Sequence, residues 1–376
     1  MSLKVLVADD SILFRRVIAE ALGSLPDVEV VGSVSNGKLA VQRVRELRPD
    51  LLTLDMEMPE MDGMAVLDAL REARETVAVI VVSALTRQGG RLTMRALERG
   101  AFDFITKPDT AGSEESREAI RRELAPRVRA LAHRLEIRNI LHKEPRAAAS
   151  VPSSGKISGI QDKQAASLEE ISGRMSRLAT VAKPEMVLIG VSTGGPNALA
   201  RMLPEIPGNI GTPLLIVQHM PPVFTQSLAE SLSPKCSIKV REASHGETIE
   251  ANIAYIAPGG RHMRLVPGPE GRKIIQVTDD PPENNCRPAV DYLFRSAANN
   301  FPGRATAVIL TGMGTDGVLG LRLLKRHGCY VIAQDEATCV VYGMPKAAVD
   351  AGVADAVLPL EAIAARITAT ARGVKI

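Results

Sequence analysis

Two stretches of the chain repeat one pattern: a short apolar run, a turn, then a segment with helical spacing. In the first stretch the apolar runs lie at 5–8, 28–34, 51–54, 77–82 and 102–105, with helical patterns such as 12–22 and 37–47 between them. Strands joined through helices pair in parallel, so five such units predict a parallel five-stranded sheet covered on both faces. The second stretch restarts at Met186. Strands are expected at 186–191, 214–218, 238–241, 253–257, 263–266, 273–277, 305–310 and 330–333. Helices are expected at 196–203, 225–232, 288–298, 316–326, 345–351 and 360–371. The flanks read as parallel α/β. The middle, 238–277, reads as short antiparallel additions, because Pro258-Gly259-Gly260 and Pro267-Gly268 punctuate it. The expected fold class is α/β: an N-terminal (βα)5 unit, a linker, and a C-terminal doubly wound α/β domain with a β insertion.

A charged helical pattern at 116–141 ends the first unit. From 143 to 183 the composition shifts to Ser, Ala, Gly and Gln, broken by Pro145, Pro152 and Ser153-Ser154-Gly155. This reads as a tether with a helical turn or two near 168–178. The domains are therefore drawn at 3–122 and 183–376, with the linker at 123–182. A length of 376 residues suits two domains with separate cores, built from aliphatic side chains because Trp is absent.

A net charge of +3 gives no argument for a nucleic-acid or membrane surface. No helix-turn-helix is evident in the second half. No apolar run spans a bilayer, and Asp9-Asp10 closes the first apolar run before it could serve as a signal peptide. The four cysteines, Cys236, Cys286, Cys329 and Cys339, form no C-x-x-C pair. A reducing cytoplasm is expected, with neither a disulfide framework nor a zinc site.

In a parallel sheet the reactive groups gather at the carboxyl ends of the strands. Asp9 and Asp10 end the first strand, Asp55 the third, Ser83 the fourth and Lys107 the fifth. Three carboxylates brought together repel unless a cation neutralises them, and oxygen ligands suit Mg²⁺. An Asp beside Mg²⁺ and Lys can accept a phosphoryl group. These motifs, with Asp55-Met56-Glu57-Met58-Pro59, Asp62-Gly63 and Lys107-Pro108, resemble response-regulator receiver domains over the first third of the chain. The resemblance implies phosphorylation of Asp55 by a histidine kinase. It implies Mg²⁺ held by Asp9, Asp10, Asp55 and the backbone carbonyl of Glu57. It also implies a switch in which Phe104 changes rotamer together with Ser83, and a cis bond before Pro108.

In the second unit, Gly190-Val191-Ser192-Thr193-Gly194-Gly195-Pro196 places a serine on a tight strand-to-helix turn. Free N–H groups at the helix start could stabilise an oxyanion. Taken alone, this is more readily a capping serine than a nucleophile. A nucleophile needs a base and an orienting acid. Of six histidines, His133 and His142 lie in the linker region, His327 at a helix end, and His245 and His262 in loops. His219 ends the apolar run 214–218, at the same sheet edge as Ser192, and is the first choice. Asp316 sits on a second Gly-rich turn, Thr311-Gly312-Met313-Gly314-Thr315-Asp316-Gly317, where an Asp ordinarily caps the next helix. Asp291 and Asp335 are weaker candidates. The order Ser, His, Asp differs from that of α/β-hydrolases, although G-x-S-x-G is matched.

These motifs, with Gln218-His219-Met220-Pro221, Ala257-Pro258-Gly259-Gly260-Arg261-His262-Met263 and Arg287-Pro288-Ala289-Val290-Asp291, resemble the catalytic domain of chemotaxis protein-glutamate methylesterases. With the receiver, the resemblance covers nearly the whole chain apart from the linker. It implies hydrolysis of glutamate γ-methyl esters on chemoreceptors and, as in some members, deamidation of receptor glutamines. Ser192, His219 and Asp316 would form the triad, and the N–H groups of Thr193 and Met313 the oxyanion site. No cofactor is implied for the esterase chemistry. The alternative is a response regulator whose output domain is inactive and only binds protein.

Overall fold

The computed structural model of the chain describes residues 2–108, 113–143 and 183–374. The expected tether, including its turns near 168–178, lies outside the described residues. The first unit runs β1 (Leu3–Ala8), α1 (Ile12–Gly23), β2 (Val28–Val34), α2 (Gly37–Leu47), β3 (Leu51–Asp55), α3 (Gly63–Glu72), β4 (Ala78–Ser83), α4 (Arg87–Glu98), β5 (Asp103–Thr106) and α5 (Glu114–Lys143). Ser11, Asn36, Asp62 and Thr86 cap the first four helices by accepting amide hydrogens from the first turn. Such caps each contribute about 1 kcal/mol. The sheet is parallel throughout, in the order β2-β1-β3-β4-β5.

The second unit begins with β6 (Met186–Val191), α6 (Gly195–Met202), β7 (Leu214–Gln218) and α7 (Phe224–Leu232). It continues through β8 (Lys239–Glu242), β9 (Ile253–Ile256), β10 (His262–Pro267), β11 (Lys273–Thr278) and α8 (Val290–Asn300). It ends with β12 (Ala305–Ile309), α9 (Val318–Arg326), β13 (Tyr330–Gln334), α10 (Met344–Asp350), β14 (Ala356–Leu358) and α11 (Leu360–Ala371). Seven strands form a parallel sheet in the order β14-β13-β12-β6-β7-β9-β8. From β6 the chain first builds outward through β7 and later returns to build the other side from β12. The topological switch point therefore falls between β6 and β12, the place on the carboxyl edge where sheets of this kind bind their ligands.

The antiparallel insertion is narrower than the sequence suggested. Among the described strands only β10 and β11 pair antiparallel, whereas β8 and β9 are parallel members of the main sheet. Pro-Gly pairs mark a turn and carry no information on strand direction. β14, with three residues, was too short to show a period. Among the described residues no helix is long and apolar enough to cross a membrane.

The two units share one apolar cluster. Met94, Leu97 and Phe104 of the first join Leu199, Phe224 and Leu228 of the second. Phe104 and Phe224 stack with centroids 4.7 Å apart and planes 17° from parallel. Helix α4 lies on α7 so closely that a Cβ at Gly90 would stand 2.5 Å from Ser227 Oγ. Glu98 accepts from Ser231 and Lys235, both at 2.5 Å, at the rim. On another side Met313, Val340 and Val341 pack against the cluster of the first unit that includes Phe102, Val128 and Leu131.

Phe224 is wholly buried and carries the stack. Phe224→Ala should lower stability by about 3–5 kcal/mol, the usual cost of emptying a buried aromatic site. Urea unfolding measures this, and a loss well under 1 kcal/mol would show that the site is not packed as described.

Candidate active site

Ser192 follows β6 directly. Its N–H donates to Thr311 O at 3.0 Å, which draws the β6 turn onto the β12 turn. Gly312 permits this approach, because a Cβ there would stand 2.7 Å from Ser192 Cβ. The turn into α6 passes through Gly194 at φ 77°, a backbone region that suits glycine. Gln218 Nε2 donates to Ser192 O at 2.9 Å and holds the β7 end on the same edge. The backbone N–H groups of Thr193 and Met313 have no hydrogen-bond partner among the described residues.

His219, after β7, places Nε2 2.7 Å from Asp316 Oδ2. Asp316 has a further role that differs from the expected one. It caps α8, which precedes it, and not α9, which follows it. Its Oδ2 accepts from Val290 N at 2.6 Å and its Oδ1 from Asp291 N at 3.0 Å, the first amides of α8. Asn284 Nδ2 donates to Oδ1 at 2.8 Å. Burial disfavours this carboxylate, yet His219 and the two amides outweigh burial and lower its pKa. Burial also disfavours a charged His219, but Asp316, with Cys286, pushes its pKa up to about 9.

No hydrogen bond joins Ser192 Oγ to His219 among the described residues. With Nε2 engaged by Asp316, the nitrogen left for a proton transfer is Nδ1. Cys286 Sγ stands 3.5 Å from it. Cys286 and Asn284 were not singled out from the sequence. Both lie just upstream of the Arg287–Asp291 motif, which was the one available signal. Asp291 is buried and accepts from Gly320 N at 2.7 Å, so it holds helices α8 and α9 together. His262 is buried, accepts from or donates to backbone only, and stacks on Tyr292.

The second cluster lies at the carboxyl edge of the first sheet. Lys107 Nζ stands 2.6 Å from Asp55 Oδ2 and 2.9 Å from Asp9 Oδ2. Ligand oxygens of Asp9, Asp10 and Asp55 all lie within 4.8 Å of one another. Burial, reinforced by Asp9, pushes the Asp55 pKa up to about 6 despite Lys107. Burial, reinforced by Asp10, likewise raises Asp9 despite Lys107. Crowded, partly desolvated carboxylates with an exposed Asp10 fit a hard divalent cation. Ser83 Oγ donates to Gly89 O at 3.2 Å and so reaches into α4. Phe104 is held in the stack with Phe224. The expected cis bond is absent: Lys107–Pro108 is trans, the intrinsic preference, and the cis peptide among the described residues is Arg287–Pro288.

A profile of the CheB methylesterase family matches residues 187–367, and one of the response regulator receiver domain matches residues 5–120. A protein-glutamate methylesterase/protein-glutamine glutaminase from Desulfotalea psychrophila is 48% identical over 372 residues, 99% of each chain. One of the same description from Trichodesmium erythraeum is 41% identical, over 97% of each chain. The crystal structure of the Thermotoga maritima CheB methylesterase catalytic domain is 43% identical, covering 49% of this chain and 97% of its own, with a TM-score of 0.48.

If Asp316 holds the ring charge, Asp316→Asn should bring the His219 pKa down from about 9. It should fall toward the ordinary value of ~6.5, because burial is then opposed by Cys286 and no longer by a carboxylate. NMR titration of the ring tests this, and a pKa left unchanged would overturn the electrostatic role given to Asp316.

Proposed function

The chain belongs to the protein-glutamate methylesterase/protein-glutamine glutaminase family, and on that premise we propose that it hydrolyses glutamate γ-methyl esters on chemoreceptors by acyl transfer, deamidates receptor glutamines at the same site, and is switched by phosphorylation of Asp55. The observation that carries the chemistry is the His219–Asp316 pair, 2.7 Å apart, at the switch point beside the Ser192 turn.

Ser192 Oγ attacks the ester carbonyl while His219, in the neutral form that rises as the pH nears its pKa of about 9, accepts the proton. The accepting atom is Nδ1, since Nε2–H stays on Asp316. The carboxylate fixes that tautomer and stabilises the imidazolium. The free N–H groups of Thr193 and Met313 receive the developing oxyanion. Nδ1 then returns the proton to the departing methanol, or to ammonia when the substrate is glutamine. Water, deprotonated by the same nitrogen, releases the glutamate carboxylate and restores Ser192. Ser192→Ala should cut methanol release from methylated receptor membranes by about 10⁴-fold, as for a triad acting as a unit. Release at the normal rate from the purified variant would refute the assignment. No release from the unaltered chain would favour an output domain that only binds.

For regulation, Asp9, Asp10, Asp55 and the Glu57 carbonyl would hold Mg²⁺. When bound, the ion supplies neutralisation of the phosphoryl group transferred from a histidine kinase. Lys107 already bridges Asp9 and Asp55 and would turn to the phosphoryl oxygens. Ser83 would donate to the same oxygens and give up Gly89 O. Gly89 directly precedes Gly90, the α4 residue that stands against Ser227, so the loss is felt at the α4–α7 contact. The receiver also packs on Met313, one of the proposed oxyanion donors. The unphosphorylated arrangement thus restricts access, and phosphorylation shifts the population toward an open one. Gly90→Leu should wedge the interface apart and raise methanol release without a phosphodonor toward the phosphorylated level. A variant that folds but is no more active than the unphosphorylated parent would contradict inhibition by this contact.

A further inference from the structure

Cys286 has no part in the chemistry above, although its thiol faces the nitrogen on which that chemistry depends. Cys286 Sγ and His219 Nδ1 are 3.5 Å apart, and the far side of the ring, Nε2, is anchored on Asp316 Oδ2 at 2.7 Å. Zinc takes thiolate sulfur at about 2.3 Å and imidazole nitrogen at about 2.0–2.1 Å in a tetrahedron, which separates the two ligands by about 3.5 Å. The same separation serves a thiol–imidazole hydrogen bond, so a metal can replace that one proton without moving either side chain. A histidine ligand whose other nitrogen donates to a carboxylate is the usual outer support of a zinc site, and Asp316 stands in that place. One ligand atom from each of His219, Cys286 and Asp316 lies within 4.8 Å of the other two. Cys286 is half-exposed, so an ion can reach it.

We propose that His219 and Cys286 form a site for Zn²⁺, and that the bound ion reversibly shuts off the esterase. On binding, Cys286 releases its S–H proton and the charged form of His219 its Nδ1 proton, both to solvent, and the sulfur donates as thiolate. His219 gives its Nδ1 lone pair and keeps Nε2–H on Asp316. Two coordination positions are left for water. Two protein ligands make a weak, exchangeable site suited to inhibition and not to folding. The inhibitory half rests on Nδ1 being the base for Ser192; the binding half does not. Sequence spacing could not point here, because the two ligands are 67 residues apart and no C-x-x-C or His-rich pattern accompanies them.

The test uses the purified, metal-free full chain with Co²⁺ and Zn²⁺ as probes. Co²⁺ should produce a near-ultraviolet thiolate-to-cobalt band. Cys339→Ser should keep the band and Cys286→Ser should lose it. In the unaltered protein, saturating Zn²⁺ should protect Cys286 from iodoacetamide, read by mass spectrometry, so the outcome does not depend on any variant folding. Zn²⁺ should suppress methanol release, and EDTA should restore it. In Cys286→Ser the zinc concentration for half-inhibition should rise about tenfold or more, since losing a ligand costs at least as much as losing an outer partner. Equal alkylation of Cys286 with and without Zn²⁺ would overturn the site. Protection with full activity retained would overturn the inhibition. Failure of the esterase reading itself would appear separately, as no methanol release before any metal is added.

Discussion

A carboxylate left 3% exposed requires compensation on every side, and Asp316 receives it from three directions. The α8 amides and the helix dipole hold one side, Asn284 a second, and the His219 ring the third. Each partner comes from a different segment, so the carboxylate fastens the β7 end, the loop before α8 and the β12 turn into one body. Removing any partner leaves buried charge uncompensated, which is costly. The proposed catalytic geometry is in this sense a consequence of satisfying one ion. His219 is oriented because Asp316 has to be neutralised.

That arrangement decides which nitrogen is available. With Nε2 committed to Asp316, Cys286 faces Nδ1, the atom to which the proposed acyl transfer assigns the Ser192 proton. One atom therefore serves the proposed acyl transfer and the proposed metal site, and the two compete by necessity. The receiver acts on the same edge from outside. Its α4 rests on α7, which follows His219, and its core packs on Met313, which lies in the turn that carries Asp316. The acidic cluster around Lys107 connects to this contact through Ser83 and Gly89, over short hydrogen-bonded steps and not through the bulk of the sheet.

Much of the fold was legible in the chain because parallel strands buried on both faces read as uninterrupted apolar runs. The strands 186–191 and 214–218 are found at their expected limits. The expected triad and the acidic cluster followed from strand ends, since a parallel sheet presents all those ends on one edge. Legibility failed where local signals carry no direction. Pro258-Gly259-Gly260 announced a turn but could not say that β8 and β9 run parallel within the main sheet. Asp316 looked like a cap for the helix after it, and a cap on α8 was invisible because Val290 lies 26 residues earlier.

From the residues alone came the class of fold, the strand ends that carry the candidate residues, and the family. Apolar periodicity and strand-end residue types are local properties and survive in one dimension. Tertiary structure alone decided which nitrogen of His219 faces Asp316, that Cys286 stands at the other, and that Phe104 is held against Phe224. These are distances between segments far apart in the chain, created only when burial forces charged and aromatic groups to find partners.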